Sequence, residues 1–194
     1  MFDHFESFGT IASGDRLKRL YPETKIIGLE PIQCRTLYSN GFGDNDIQGI
    51  GDKHVTWIHN VMNMDAMICV DDMESKKGLQ LLTSNIGKDY LVDVVGISKE
   101  NVSTLSQILG ISGVCNLIGA TKTAKYYEMT EDDNIFIICT DTIDRYYSVM
   151  DNLDKEFGTM DKTEATVRYN CIFKNIKPDY IQEGTYATKK NGII

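Results

Sequence analysis

Positive charge is what this sequence has least of. Twenty Lys and Arg stand against 28 Asp and Glu, a formal net charge of −8, and no basic stripe appears along the chain. Nucleic acid and anionic membranes require clustered Lys and Arg, so the sequence argues against both as partners. An uninterrupted apolar run of about 18 residues is also missing. So is a signal peptide, because Asp3, His4 and Glu6 stand where a basic start and an apolar block belong. The five cysteines (Cys34, Cys69, Cys115, Cys139, Cys171) form no C-x-x-C pair and mostly lie in apolar stretches. They read as buried free thiols in a reducing compartment. The expectation is a soluble, cytoplasmic protein. Repeats, low-complexity tracts and clear linkers are absent, and 194 residues at 42% hydrophobic suffice for one domain with its own core.

What is present alternates between two patterns. "KIIGL" at 25–29, continuing to Glu30, "AMICV" at 66–70 and "NIFIICT" at 134–140 have the length and β-branched content of strands buried on both faces. Helical patterns lie between them. One covers 11–20. Another covers 71–87, opening with acidic residues and closing on Gly87. A third covers 112–127, with Ser112 placed to cap it and Val114, Leu117, Ile118, Thr121 and Ala124 on one face. A fourth covers 144–158 and ends at a glycine. Residues 83–108 have mixed character, with a strand or turn and one short helix. The predicted fold is α/β: a Rossmann-like, mainly parallel sheet flanked by helices, with ligands beyond the carboxyl ends of the strands. Residues 6–174 form the domain and 175–194 a loosely held tail.

Three stretches could carry chemistry. The segment Ser7, Gly9, Thr10 precedes a helix and could cradle a phosphate on backbone N–H groups, although an ordinary capped helix start explains the same residues. "GFGDNDIQGIGDKH" at 41–54 is richest in glycine. It lacks the dinucleotide-binding spacing, and a calcium loop counted from Asp44 would need Glu where Val55 stands. It is either a flexible loop or one whose glycines let backbone approach a ligand. His54 and His59 do not share a helix face and make a poor metal site. "CTDTIDRYYS" at 139–148 ends a strand in Thr140, Asp141 and Thr142, which present polar groups at the ligand side of the sheet or cap the next helix.

In order along the chain, "GTIASGDRLKRLYPETKIIGLEP", "IQGIG", "LGIS" and "IFIICTDTIDRYYS" resemble the C-terminal part of fold-type-II pyridoxal-phosphate enzymes of the cysteine synthase and threonine synthase kind. "GFGDNDIQGIGDKHVTWIHN" and "GISGVCNLIGATKTAKYY" are most similar to the group called pyridoxal-phosphate-dependent protein, beta subunit. The resemblance implies a cofactor, pyridoxal 5'-phosphate, with its phosphate at Ser7, Gly9 and Thr10. It places the loop of Gly49 and Gly51 near the ring and Thr142 at the pyridine nitrogen. A neutral hydroxyl there suits β-elimination and β-replacement on amino acids. Glu6 and Phe8 stand where the family has glycines.

The family's Schiff-base lysine, in an S-x-K-[DN]-R type motif, does not occur in these 194 residues. Surface lysines such as Lys18 or Lys122 would not replace it. The chain also opens on a loop-helix-strand unit with no strand feeding the loop. The expectation is therefore the cofactor-binding half of a pyridoxal-phosphate-dependent lyase or β-replacement enzyme, with an N-terminal half or partner subunit supplying the lysine, in a homo- or hetero-oligomer. Its rival is a non-catalytic relative acting as a binding or scaffold subunit. An unrelated α/β nucleotide binder is disfavoured because no intact phosphate fingerprint is present.

Overall fold

The computed structural model describes residues 2–3, 8–50, 55 and 60–190, with backbone alone at 2–3 and 8–10. Four strands, β1 (Phe2–Asp3), β2 (Ile27–Pro31), β3 (Ala66–Val70) and β4 (Ile181–Glu183), form one sheet in the order β1-β2-β3-β4. The first three are parallel, and β4 runs antiparallel to β3. Every residue of β2 and β3 is buried, which is why their sequences read as continuous apolar runs rather than alternating ones.

Helices cover both faces. They are α1 (Phe8–Leu20), α2 (Thr36–Ser39), α3 (Asp72–Thr83), α4 (Asn85–Asp93), α5 (Lys99–Ile108), α6 (Ile111–Tyr126), α7 (Tyr147–Phe157), α8 (Lys162–Arg168) and α9 (Tyr186–Lys190). A π-helical stretch, Tyr169–Lys174, continues α8. The main core joins Ile27, Leu29, Ile68 and Val70 to Leu79 of α3 and Val114, Cys115 and Ile118 of α6. Met67 instead joins Met64 and Leu37 in a second cluster. The mixed α/β architecture with a mainly parallel sheet is as predicted, but a strand does precede α1: β1 pairs with β2 where none was expected.

Helix α6 lies against β2 at Gly119. A Cβ there would fall 2.6 Å from Leu29 Cδ2, and Leu29 is fully buried with no room to retreat. The approach of α3 to α6 is similarly close, since a Cβ on Gly78 would meet Val114 Cγ1 at 2.9 Å. Burial on α6 therefore extends beyond the predicted face. Leu117, Thr121 and Ala124 are half-buried, whereas Cys115, Lys122 and Thr123 are buried.

Several expectations need correction. The segment 134–140 is not a strand. Its only described backbone hydrogen bond is the one its Ile138 carbonyl accepts from Asn116 Nδ2 at 2.7 Å, so β propensity has no ladder to act in. Ile135 and Ile137 nevertheless pack on the core. The helix predicted over 71–87 breaks at Ser84, whose extended backbone starts α4 and whose hydroxyl accepts from Gly87 N–H at 3.1 Å. Gly87 is thus no terminator: a Cβ there would sit 1.9 Å from the Leu81 carbonyl oxygen. Residues 83–108 form two helices without a strand. Ser112 lies inside α6, whose N-cap is Gly110. Cys139 and Cys171 are exposed, while Cys34, Cys69 and Cys115 are buried, and all five are free.

The tail supplies β4, with Cys69 N–H donating to the Tyr180 carbonyl at 3.0 Å. Lys122, expected on the surface, is 2% exposed. Its ammonium donates to the Cys69 carbonyl at 3.2 Å and to Asp179 Oδ1 at 2.7 Å, tying α6 to the approach of β4. Lys18 is paired with Asp65.

Replacing Gly119 by Ala would drive a methyl into Leu29. The expected cost is about 1–3 kcal/mol, seen as a lower urea midpoint at unchanged slope. An unaltered midpoint would mean that α6 shifts freely on the sheet.

Candidate functional site

The carboxyl ends of β2 and β3 carry the densest polar network. Gln33, just past β2, donates from Nε2 to Asp71 Oδ2 at 2.8 Å and accepts from Asp72 N–H at 3.3 Å. Asp71 caps α3 by accepting from the N–H groups of Met73 and Glu74, at 2.8 and 3.1 Å. Asp72 Oδ2 accepts from Asp46 N–H at 2.6 Å, and Asp46 pairs with Lys76 at 2.7 Å. Asp72 Oδ1 is buried without a hydrogen-bond partner among the described residues, and burial raises the pKa of this carboxyl. This network fixes the loop 41–50 over the sheet end.

That loop is held rather than floppy. A Cβ on Gly43 would sit 2.2 Å from the Gln33 carbonyl oxygen, so this glycine lets the loop approach its own chain. Ile47 and Ile50 are both 1% exposed and anchor it in the main core. Between them Ile50 N–H donates to the Ile47 carbonyl at 3.1 Å, and Gly49 has φ of +83°. This is a turn that needs a left-handed third residue. Among the described residues, no atom beyond its two chain neighbours lies within 4 Å of where a Cβ of Gly49 would be, so its backbone is uncovered by them.

Beneath the loop's origin, Glu30 points from β2 towards α2. Its Oε1 accepts from Leu37 N–H at 2.7 Å and its Oε2 from Tyr38 N–H at 3.0 Å. Burial opposes these bonds and prevails, pushing the carboxyl pKa up from 4.5 to about 7.

The second polar group gathers at the start of α6. Tyr146, 1% exposed, donates its hydroxyl to Asp141 Oδ2. Ser112 Oγ lies 2.8 Å from Thr140 Oγ1 and donates to Asp141 Oδ1 at 3.4 Å. Burial, then the bond to Asp141, raises the Tyr146 pKa, so the phenol stays protonated. Asp141 is thereby fixed from two sides, and Thr142 follows it in extended conformation, half-buried, donating to Asp144 Oδ2 at 3.3 Å.

Of the predicted site residues, Ser7 and Gly51 lie outside the described residues, as do His54 and His59. Gly9 and Thr10 fall within the first turn of α1, which starts three residues earlier than expected, at Phe8. That turn contains no acidic residue, which leaves its N–H groups unanswered by a carboxylate of their own, while Lys18 and Arg19 in the last turn complement the C-terminal end of the dipole. Gly49 occupies the open turn and Thr142 the segment before a 3₁₀ helix, Ile143–Arg145. Among the described residues no group of three or more His, Cys, Asp or Glu could hold a metal ion. No described helix is long and apolar enough to cross a membrane.

No family model matches the chain. It is 28% identical over 145 residues to cysteine synthase B of Campylobacter jejuni, an alignment spanning 74% of this chain and 41% of that protein. An O-acetylserine sulfhydrylase isoform 3 from Entamoeba histolytica superposes with a TM-score of 0.59 at 24% identity, covering 84% of this chain and 42% of that one. A hydrogen sulfide-producing enzyme from Fusobacterium nucleatum gives 0.58 at 17% identity, over 94% and 46% of the two chains. This is the fold of the fold-type-II pyridoxal-phosphate enzymes. The chain spans less than half the length of these relatives.

Within the fold-type-II frame, the groups that shape the sheet end are ones the sequence reading passed over. Glu30 had a visible signal, a carboxylate inside an apolar run. Gln33 and Tyr146 had none, because their partners are 38 and 5 residues away and only folding joins them.

The raised pKa of Glu30 makes stability depend on pH. Below about 4.5 the carboxyl is protonated whether the chain is folded or not. Between 4.5 and about 7 the unfolded chain releases its proton while the folded chain keeps it, so stability falls as pH rises, by up to roughly 3 kcal/mol. Above 7 the deficit is constant. Urea midpoints taken from pH 4.5 to 8 should show this decline in the wild type, and a shallower one in Glu30→Gln. Parallel curves would show that Glu30 ionises normally.

Proposed function

We propose that this chain is the cofactor-binding part of a pyridoxal-phosphate-dependent lyase or β-replacement enzyme acting on an amino-acid substrate. In this reading an N-terminal half or a partner subunit supplies the lysine to which the cofactor attaches. The observation that carries it is the likeness to cysteine synthase B over three quarters of the chain. Three local features fit such a ligand. The start of α1 offers backbone N–H groups at Gly9 and Thr10 with no acid in its first turn. The turn at Gly49 is uncovered by other described residues, and any side chain there would narrow that space. Thr142 carries a neutral hydroxyl on a segment that Asp141 holds in place.

Each residue then has a defined task. Gly9 and Thr10, with Ser7, hold the phosphate by backbone N–H groups and a hydroxyl. The Gly49 turn, with no Cβ to intervene, would let backbone approach the ring. Thr142 would offer its hydroxyl as a hydrogen-bond donor to the pyridine nitrogen in place of Asp144. Since a threonine cannot protonate that nitrogen, the ring stays a moderate electron sink. When bound, the cofactor supplies the delocalisation that lets an amino acid lose a proton at Cα and a group at Cβ. Tyr146 and Ser112 keep Asp141, and through it Thr142, from turning away.

The rival reading, a non-catalytic binding or scaffold subunit, draws on Glu6 and Phe8 at glycine positions and on the missing lysine motif. Both readings face the same experiment, titration with pyridoxamine phosphate, which cannot react with lysines. Wild type is expected to bind. Thr142→Val should weaken binding by about 0.5–1.5 kcal/mol, the worth of one hydrogen bond, or roughly two- to tenfold. Gly9→Asp, which sets a charge against the phosphate, should weaken it more. Equal affinities for all three proteins would place the site elsewhere, and no binding at all would favour the scaffold reading.

A further inference from the structure

A cavity of about 560 Å³ opens at the amino end of β2, away from the residues assigned to the cofactor. Ile27 and Thr123, both buried, form its floor. Its walls are the end of α1 on one side and residues 133–136 on the other. Two large aromatic side chains on these walls face solvent: Tyr21 is 63% exposed and Phe136 71%. Half-buried Tyr127 and Met129 continue the apolar lining. This concave patch carries bare aromatics on both rims, the kind of surface that suits an apolar partner.

The backbone beside it is equally unfinished. Residues 134–140 have the composition of a strand, but among the described residues their N–H groups donate no hydrogen bond and only the Ile138 carbonyl accepts one. Such a segment can pair with an incoming strand, as in strand addition to a sheet edge. The rim is acidic. Glu131, Asp132 and Asp133 form an exposed turn at one end and Glu23 lines the groove, while Lys25 is engaged over the Tyr127 ring at 4.9 Å. A second copy of this chain would bring its own net charge of −8 to that rim. More than half of each structural neighbour has no counterpart in this chain, the matched part being 42 to 46% of their length.

We propose that this groove docks an apolar strand, flanked by basic residues, from a second polypeptide, the strand pairing with residues 134–138 and seating side chains between Tyr21 and Phe136. The proposal rests on the reading of the chain as one part of a larger enzyme, and it names the surface where that part is completed.

The test is amide hydrogen exchange on the full chain with two synthetic peptides of strand length, about six residues of alternating Val and Thr, one ending in lysines and the other in glutamates. The lysine-flanked peptide should protect the amides of residues 135–138. Its binding should fall about tenfold in Phe136→Ser and in Tyr21→Ser, and the glutamate-flanked peptide should bind at least that much more weakly. Both substituted side chains are largely exposed, so folding should survive, and two variants guard against one failure. No protection of 135–138, or equal binding by the variants, would overturn the proposal. So would sedimentation showing wild-type self-association that Phe136→Ser abolishes, since the occupant would then be a second copy. The same samples titrated with pyridoxamine phosphate separate the two readings. Docking without cofactor binding would sink the cofactor assignment alone, and cofactor binding without docking would sink this surface alone.

Discussion

Strands β2 and β3 pair in parallel with every residue of both buried, and a ladder of that kind cannot exist without cover on each face. Side chains that alternate along the strands commit Leu29 and Ile68 to the side of α6 and α3, and Met67 to the side of Met64 and Leu37. The covering helix must come close enough to leave no void, which is why Gly119 sits where Leu29 would strike any larger residue. The same pairing brings two chain ends side by side at the carboxyl edge. Gln33 and Asp71 join them there, so the loop and helices around the candidate site inherit their positions from the ladder beneath.

Glu30 and Lys122, two of the buried ionisable groups, are answered by different strategies. Glu30 satisfies both oxygens with backbone N–H groups, yet burial keeps its charge costly and its proton affinity rises. Lys122 donates to a carboxylate and two carbonyl groups. One group holds α2, which leads into the glycine-rich loop. The other holds the β4 edge. Polar atoms buried among apolar side chains are tolerated in this protein where they fasten a segment that has few apolar anchors of its own.

The strands at 27–31 and 66–70 could be read from sequence because both faces are buried, leaving an uninterrupted apolar signal. The same signal misled at 134–140, since composition reports suitability for a ladder and says nothing of whether a neighbour is present to form one. Helices α3 and α4 fused into one prediction because Gly87 looked like a terminator. In the fold it is a point of close approach to Leu81, and the true break is Ser84, which serves both helices. Thr142 and Gly49 came forward as candidates through the order of motifs. The roles of Gln33 and Asp72 were not legible, because hydrogen bonds between distant segments leave no periodic trace.

Lys122 carries a consequence for how this chain can change over time. Its ammonium reaches from the middle of α6 to Asp179, and the segment that follows adds β4 to the sheet. Were that final segment trimmed or swapped, the lysine would lose its bonded carboxylate and keep only the Cys69 carbonyl as a hydrogen-bond partner, at a cost for a buried charge. A neutral residue at position 122 would in turn remove the tether that draws the last strand in. Helix and tail are therefore obliged to drift as a pair, so homologues that dispense with the edge strand should be those in which this lysine has already gone.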